Sequence, residues 1–95
     1  MSTRAVTYCT QTCDVDEGFD TYIVDATNGN VTLTLPNITT DGIYFSFNRV
    51  DSSGHTVTVE GNSSQQTIDG NATKSFASGE KDAMVSINNV WISVI

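Results

Sequence analysis

From residue 20 onward, apolar and polar positions alternate with period two, the repeat of a strand with one buried face. Residues 21–25 read as a short strand, followed by a turn at Asn28-Gly29-Asn30. Val31, Leu33 and Leu35 then alternate with Thr32 and Thr34 until Pro36 stops the run. Ile43, Phe45 and Phe47 alternate with Tyr44, Ser46 and Asn48, and Val57 and Val59 with Thr56, Thr58 and Glu60. Residues 66–69 form a weaker run closed by Asp69-Gly70, a favoured hairpin dipeptide. Residues 74–77 form another, Ala83, Val85 and Ile87 alternate, and Asn88-Asn89 makes a tight turn. Val90, Ile92 and Val94 alternate with Trp91, Ser93 and Ile95. About eight short strands with turn signals every 8–12 residues predict an all-β chain, an antiparallel sandwich or barrel. No segment carries a helical repeat.

Residues 1–20 lack this alternation, and Asp14-Val-Asp16-Glu17-Gly18-Phe19-Asp20 packs four acids into seven positions. The pattern predicts an extended N-terminal arm over residues 1–19, with one short strand around residues 4–8, leading into a β-domain over residues 20–95. Placing Val90, Ile92 and Val94 in the core turns Trp91 and Ile95 outward. Ile23, Tyr44 and Met84 are apolar off-face positions as well. Aromatic and Met side chains outside a small core concentrate at subunit contacts. Tyr44, Trp91 and Ile95 are therefore the expected protomer interface.

Composition agrees with the pattern. Val and Ile (10 and 7) far outnumber Leu (2), the bias of strands. Thr, Ser and Asn (14, 10 and 8) supply a polar surface, and charged residues are only 16%. Four Lys/Arg against eleven Asp/Glu give a net charge of −7. That balance argues against nucleic-acid backbones, whose binding rests on Lys and Arg, and against anionic membranes. No apolar run has the length of a signal-peptide core or a membrane span, so the chain is expected to fold in a cytoplasm. Four Asn-x-Ser/Thr sequons, at Asn30, Asn37, Asn62 and Asn71, follow from the Thr/Ser/Asn-rich composition.

Candidate chemistry is sparse. Cys9 and Cys13 are spaced wrongly for a paired zinc or thioredoxin-like motif, and there is one His to complete a metal site. Reduced thiols or a disulfide, local or between chains, remain the open readings. The acidic stretch echoes a calcium loop, but its Gly comes one residue early and the bidentate Glu is missing. His55, near Asp51, Ser52 and Ser53, is the single imidazole, and a catalytic triad crowded into one turn lacks the needed geometry. Neither an enzyme nor a cofactor or metal is expected. Tyr22, Tyr44 and Trp91 offer a possible stacking face for sugars.

The stretch from Asp20 to Ile95 resembles β-modules that recur in tailed-bacteriophage virion proteins, in tail fibres and spikes and in small head-decoration proteins. The residues carrying the likeness are Asp25-Ala-Thr-Asn-Gly-Asn-Val-Thr-Leu-Thr-Leu-Pro36 and Gly42-Ile-Tyr-Phe-Ser-Phe-Asn-Arg-Val-Asp51. They continue in Ser53-Gly-His-Thr-Val-Thr-Val59, Thr67-Ile-Asp-Gly70 and Val90-Trp-Ile92. Asn88-Asn89 replaces the Asp-Gly type of turn common before the Trp. The resemblance implies a homotrimeric virion component. With no coiled-coil heptads or shaft repeats, the chain is expected to be a free-standing capsid decoration (cement) protein that binds the major capsid protein on the outer shell. Its capsid contact is then expected on the arm, with Arg4, Asp14, Asp16 and Glu17 as polar partners and Tyr8 and Phe19 as anchors. The alternative is a receptor-binding or adaptor module of a tail fibre or spike, recognising host glycans.

Overall fold

The computed structural model describes residues 5–94, and all its regular elements are strands. They are β1 (Val6–Cys9), β2 (Cys13–Asp14), β3 (Thr21–Val24), β4 (Val31–Thr34), β5 (Tyr44–Arg49), β6 (Val57–Glu60), β7 (Thr73–Phe76), β8 (Lys81–Ile87) and β9 (Val90–Ser93). Two open sheets result, one of five strands in the order β1-β3-β5-β8-β9 and one of four in the order β2-β4-β6-β7.

The sheets are mixed, which corrects the antiparallel expectation, and neither closes into a barrel. β1, β3 and β5 run parallel in one sheet, and β2, β4 and β6 run parallel in the other. The chain thus alternates between sheets like a flattened coil, and its successive turns stack in register. Parallel neighbours need a long crossover, and here a strand of the opposite sheet serves as that crossover. Antiparallel pairs β6–β7, β5–β8 and β8–β9 finish the far end. Period-two alternation is the same in either pairing mode, so it carries no information about direction.

A single core lies between the sheets. Val31, Leu33, Val57 and Val59 enter it from the four-stranded sheet, and Tyr22, Val24, Phe45, Phe47, Met84 and Trp91 from the five-stranded one. Phe47 meets Phe76 across the gap with ring centroids 6.2 Å apart. Tyr22 stacks on Phe47 at 5.7 Å, and Phe45 on Trp91 at 5.7 Å.

Three further expectations change. The separate arm over residues 1–19 is not confirmed: β1 and β2 lie inside that span, pairing with β3 and β4. Residues 66–69 make no strand, because Ile68 forms only isolated bridges to Asn71 and Trp91. The faces of the last hairpin are also reversed. Asn88 and Asn89 take φ of 49° and 67°, the left-handed pair of a two-residue turn. That turn sets Ile87 opposite Val90 and Ser86 opposite Trp91. Trp91, placed at the protomer interface by the sequence pattern, is instead fully buried, and Ile92 and Val94 are exposed. The large indole occupies the core, and the small β-branched residues take the outside.

Candidate interaction surface

The two outer faces differ sharply. On the four-stranded sheet the outward positions are Asp14, Thr32, Thr34, Thr58, Glu60, Thr73 and Ser75, a hydroxyl-rich surface. On the five-stranded sheet Val6 and Tyr8 of β1, Ile23 of β3, Tyr44 of β5, Val85 and Ile87 of β8, and Ile92 of β9 point outward, with Thr21, Ser46 and Asn48 among them. Val94 extends this face, its N–H donating to the Ala83 carbonyl at 2.8 Å. Six of the eight large exposed apolar side chains lie here: Val6, Tyr8, Tyr44, Ile87, Ile92 and Val94. Apolar patches of this kind mark interaction surfaces.

Charge is distributed to match. Acids occupy loops, the opposite face, or buried pairs, and Lys81 is the charged side chain on the outward face of the five-stranded sheet. In a chain of net charge −7, this acid-free face is where another acidic surface meets least repulsion.

Behind the face, two buried polar clusters fix the sheets. Arg49, at the end of β5, pairs with Asp51, and its Nη1 donates to the Phe76 carbonyl of β7 at 2.7 Å. Asp51 accepts from Ala26 N–H at 2.9 Å and from Ser53 N–H at 3.1 Å. Its carboxyl is held far below the usual carboxylate range, chiefly by the Arg49 hydrogen bonds, against the opposing effect of burial. In the second cluster Lys74 of β7 reaches across to Asp82 of β8, which also bonds Ser93 of β9. The Asp82 bond, opposed by burial, raises the Lys74 ammonium pKa. Ser53, His55 and Asp51 do share one turn, but the His55 Nδ1 lies 2.7 Å from the Ala26 carbonyl while Ser53 Oγ lies 2.6 Å from Asp51 Oδ2. These contacts tie the turn to the residues that follow β3.

The residues expected at a capsid contact do not share one surface. Tyr8 lies on the apolar face, whereas Asp14 points outward from the opposite sheet. Asp16 organises the intervening turn: its N–H donates to Tyr22 Oη at 2.6 Å, and its Oδ1 accepts from Gly18 N–H at 2.6 Å. Burial raises the Tyr22 phenol pKa. Glu17 is exposed, and Phe19 sits edge-on to Tyr22 with centroids 6.3 Å apart. Arg4 and Ile95 lie outside the described residues. Of the expected protomer interface, Tyr44 is on the apolar face and Trp91 is in the core.

Val6, Val85, Ile87, Ile92 and Val94 were missed as surface residues. Val6 lies in the segment without alternation, whereas the alternation of Val85, Ile87, Ile92 and Val94 is identical to that of a core face, and only the competing bulk of Met84 and Trp91 signals the inversion. Cys9 and Cys13 form a disulfide that joins β1 of one sheet to β2 of the other. Among the described residues no pocket is formed, and no three His, Cys, Asp or Glu side chains gather as a metal site. No family model and no curated protein matches this chain.

Proposed function

We propose that this chain is a non-enzymatic structural component of a tailed-phage virion, a homotrimeric decoration protein that bridges and stabilises major capsid protein subunits on the outer shell. The observation that carries the reading is the apolar, acid-free outer face of the five-stranded sheet, which suits contact between copies of an acidic chain. The module resemblance of residues 20–95 supplies the virion context. A trimer presents each shell-contact surface three times, so weak contacts add through effective concentration. Binding only to the assembled shell then stabilises it by mass action.

Two measurements test the proposal. Sedimentation of the purified chain is expected to give a trimer, and quantitative mass spectrometry of purified virions a copy number near that of the major capsid protein or a simple fraction of it. A few copies in multiples of three would instead favour the tail-fibre adaptor and its host-glycan role. Absence from the particle overturns the virion assignment.

A further inference from the structure

The two rims of the five-stranded sheet are finished differently. At the far rim β9 is covered by the segment around Asp69. Trp91 N–H donates to the Thr67 carbonyl at 2.8 Å, Asp69 N–H donates to the Trp91 carbonyl at 2.9 Å, and Ser93 N–H donates to Asp69 Oδ1 at 2.9 Å. At the near rim lies β1, and there the Ala5 and Cys9 carbonyls accept from Thr21 and Asp25 N–H at 3.2 and 2.9 Å. Backbone groups alternate in direction along a strand, so Val6 and Tyr8 turn their N–H and C=O groups away from β3. No described residue bonds to those outward groups.

Natural sheets blunt such rims with charged side chains, proline or bulges, because a bare one templates further strand pairing. β1 reads Val-Thr-Tyr-Cys and carries none of these devices. Val6 and Tyr8 are 54% and 61% exposed, so the bare backbone is bordered by apolar side chains. The disulfide at Cys9 anchors the end of this strand to the second sheet and holds the rim in place. β7, the rim strand of the other sheet, instead points Thr73 and Ser75 outward.

Charge selects the occupant. Asp20 N–H bonds to the Ala5 carbonyl and Asp25 N–H to the Cys9 carbonyl, both at 2.9 Å, so an acid stands beside each end of β1. Asp16 and Glu17 occupy the turn just before Asp20. In a chain of net charge −7, pairing with the β1 of a second copy sets one acidic surface against another. A strand ending in lysine or arginine meets opposite charge at both ends.

We propose that β1 is a docking rim for an extended segment of another polypeptide, basic at its ends, which joins the sheet through the Val6 and Tyr8 backbone groups. Strand addition of this kind takes affinity from main-chain hydrogen bonds and specificity from alternate side chains. The rim serves such a partner whether or not the chain belongs to a virion.

The test titrates the full isotope-labelled chain with a synthetic Thr/Val-alternating peptide of about nine residues flanked by lysines, followed by amide NMR. Saturable shifts centred on Val6–Cys9 are expected, weakening as salt screens the flanking charges. Methylating the peptide's alternate backbone nitrogens on the bonding side is expected to weaken binding about tenfold, as is flanking it with glutamates. Tyr8→Pro removes an outward donor while sparing the bonds to β3 and is expected to abolish the shifts. If that variant fails to fold, the N-methylated peptide tests the same bonds on the unaltered protein. Absence of binding at about millimolar peptide, shifts centred on Thr73–Phe76, equal binding of the glutamate-flanked peptide, or a dimer paired through β1 each overturns the proposal.

Discussion

Arg49 grips Asp51 two residues further along the chain through two parallel bonds, Nε to Oδ1 at 3.0 Å and Nη2 to Oδ2 at 3.1 Å. Both side chains are almost wholly buried. The remaining guanidinium donors reach the Phe76 carbonyl and the His55 carbonyl, the latter at 2.6 Å. One charged fork therefore joins the end of β5 to β7 and to the loop before β6. A bidentate pair in which each guanidinium nitrogen and each carboxylate oxygen has a partner is the arrangement in which a buried ion pair is tolerated.

Acid sensitivity follows from the direction of the Asp51 shift. Its folded pKa is depressed by Arg49, whereas in the unfolded chain an aspartate titrates near ~3.9. The folded state binds fewer protons, so the pair's stabilisation is complete above that value and is withdrawn as pH falls below it. Asp51→Asn leaves Arg49 buried without its counter-charge and is expected to cost about 3 kcal/mol at neutral pH. Urea unfolding at a series of pH values checks both parts: the variant starts lower and loses less stability between about pH 5 and pH 2. An unchanged acid slope in the variant removes Asp51 as its source.

Trp91 tests core against interface. Its indole is fully buried against Phe45, so Trp91→Ala is expected to cost about 3–5 kcal/mol in unfolding free energy. Its Nε1 has no hydrogen-bond partner among the described residues. Trp91→Phe therefore forfeits volume without a hydrogen bond, and its cost is expected to stay under about 2 kcal/mol. Denaturant titration of both variants, followed by circular dichroism, ranks them. A Trp91→Ala chain of native stability that sediments as a smaller species would return Trp91 to the interface.

The same residue shows where sequence reading ends. Val31, Leu33, Val57 and Val59 face the core as their alternation predicts, because Thr and Glu on the other side leave one choice of face. In the last hairpin both faces are apolar, so periodicity fixes the two sets of residues and leaves open which set is buried. Packing decides it: Met84 and Trp91 fill the gap beside Phe45, and Asp82 and Ser86 follow them inward because Lys74, Ser93 and the Ile43 N–H satisfy their polar groups. The turns at Asn88-Asn89 and Asp69-Gly70 were legible because their backbone conformations favour those residues. The coil-like alternation between sheets was not, since it depends on where distant strands pair. The apolar face, the main feature of the candidate surface, was hidden by the same ambiguity.

The disulfide acts locally. Cys9 and Cys13 are four residues apart and tie the first strands of the two sheets, so closing this short loop contributes about 2 kcal/mol on a chain-entropy estimate. Reduction, or the Cys9→Ser/Cys13→Ser double variant, is expected to speed amide exchange at Thr7 and Cys9, and at Phe45 and Phe47 by no more than about thirtyfold, the equivalent of about 2 kcal/mol. Thr7 and Cys9 are the informative positions in β1, because their N–H groups point toward β3. Equal protection of these amides in oxidised and reduced protein would show that the first strands hold without the link.

The outer face of the five-stranded sheet can be charged without touching the core. Ile92 stands opposite Val85 on that face and is 37% exposed, so Ile92→Lys is expected to change unfolding free energy by no more than about 0.5 kcal/mol. If copies meet through this face, a lysine there must be desolvated on association, and the oligomer dissociates at concentrations where the parent stays assembled. Thr58→Lys, on the hydroxyl-rich opposite face, adds the same charge and provides the control. Sedimentation velocity on the three proteins separates the outcomes. A smaller species for Ile92→Lys alone assigns the contact to the apolar face. Loss with Thr58→Lys alone moves it to the opposite sheet, and a smaller species for both variants removes the assignment to the apolar face alone, since each lysine lowers the net negative charge and by itself favours association.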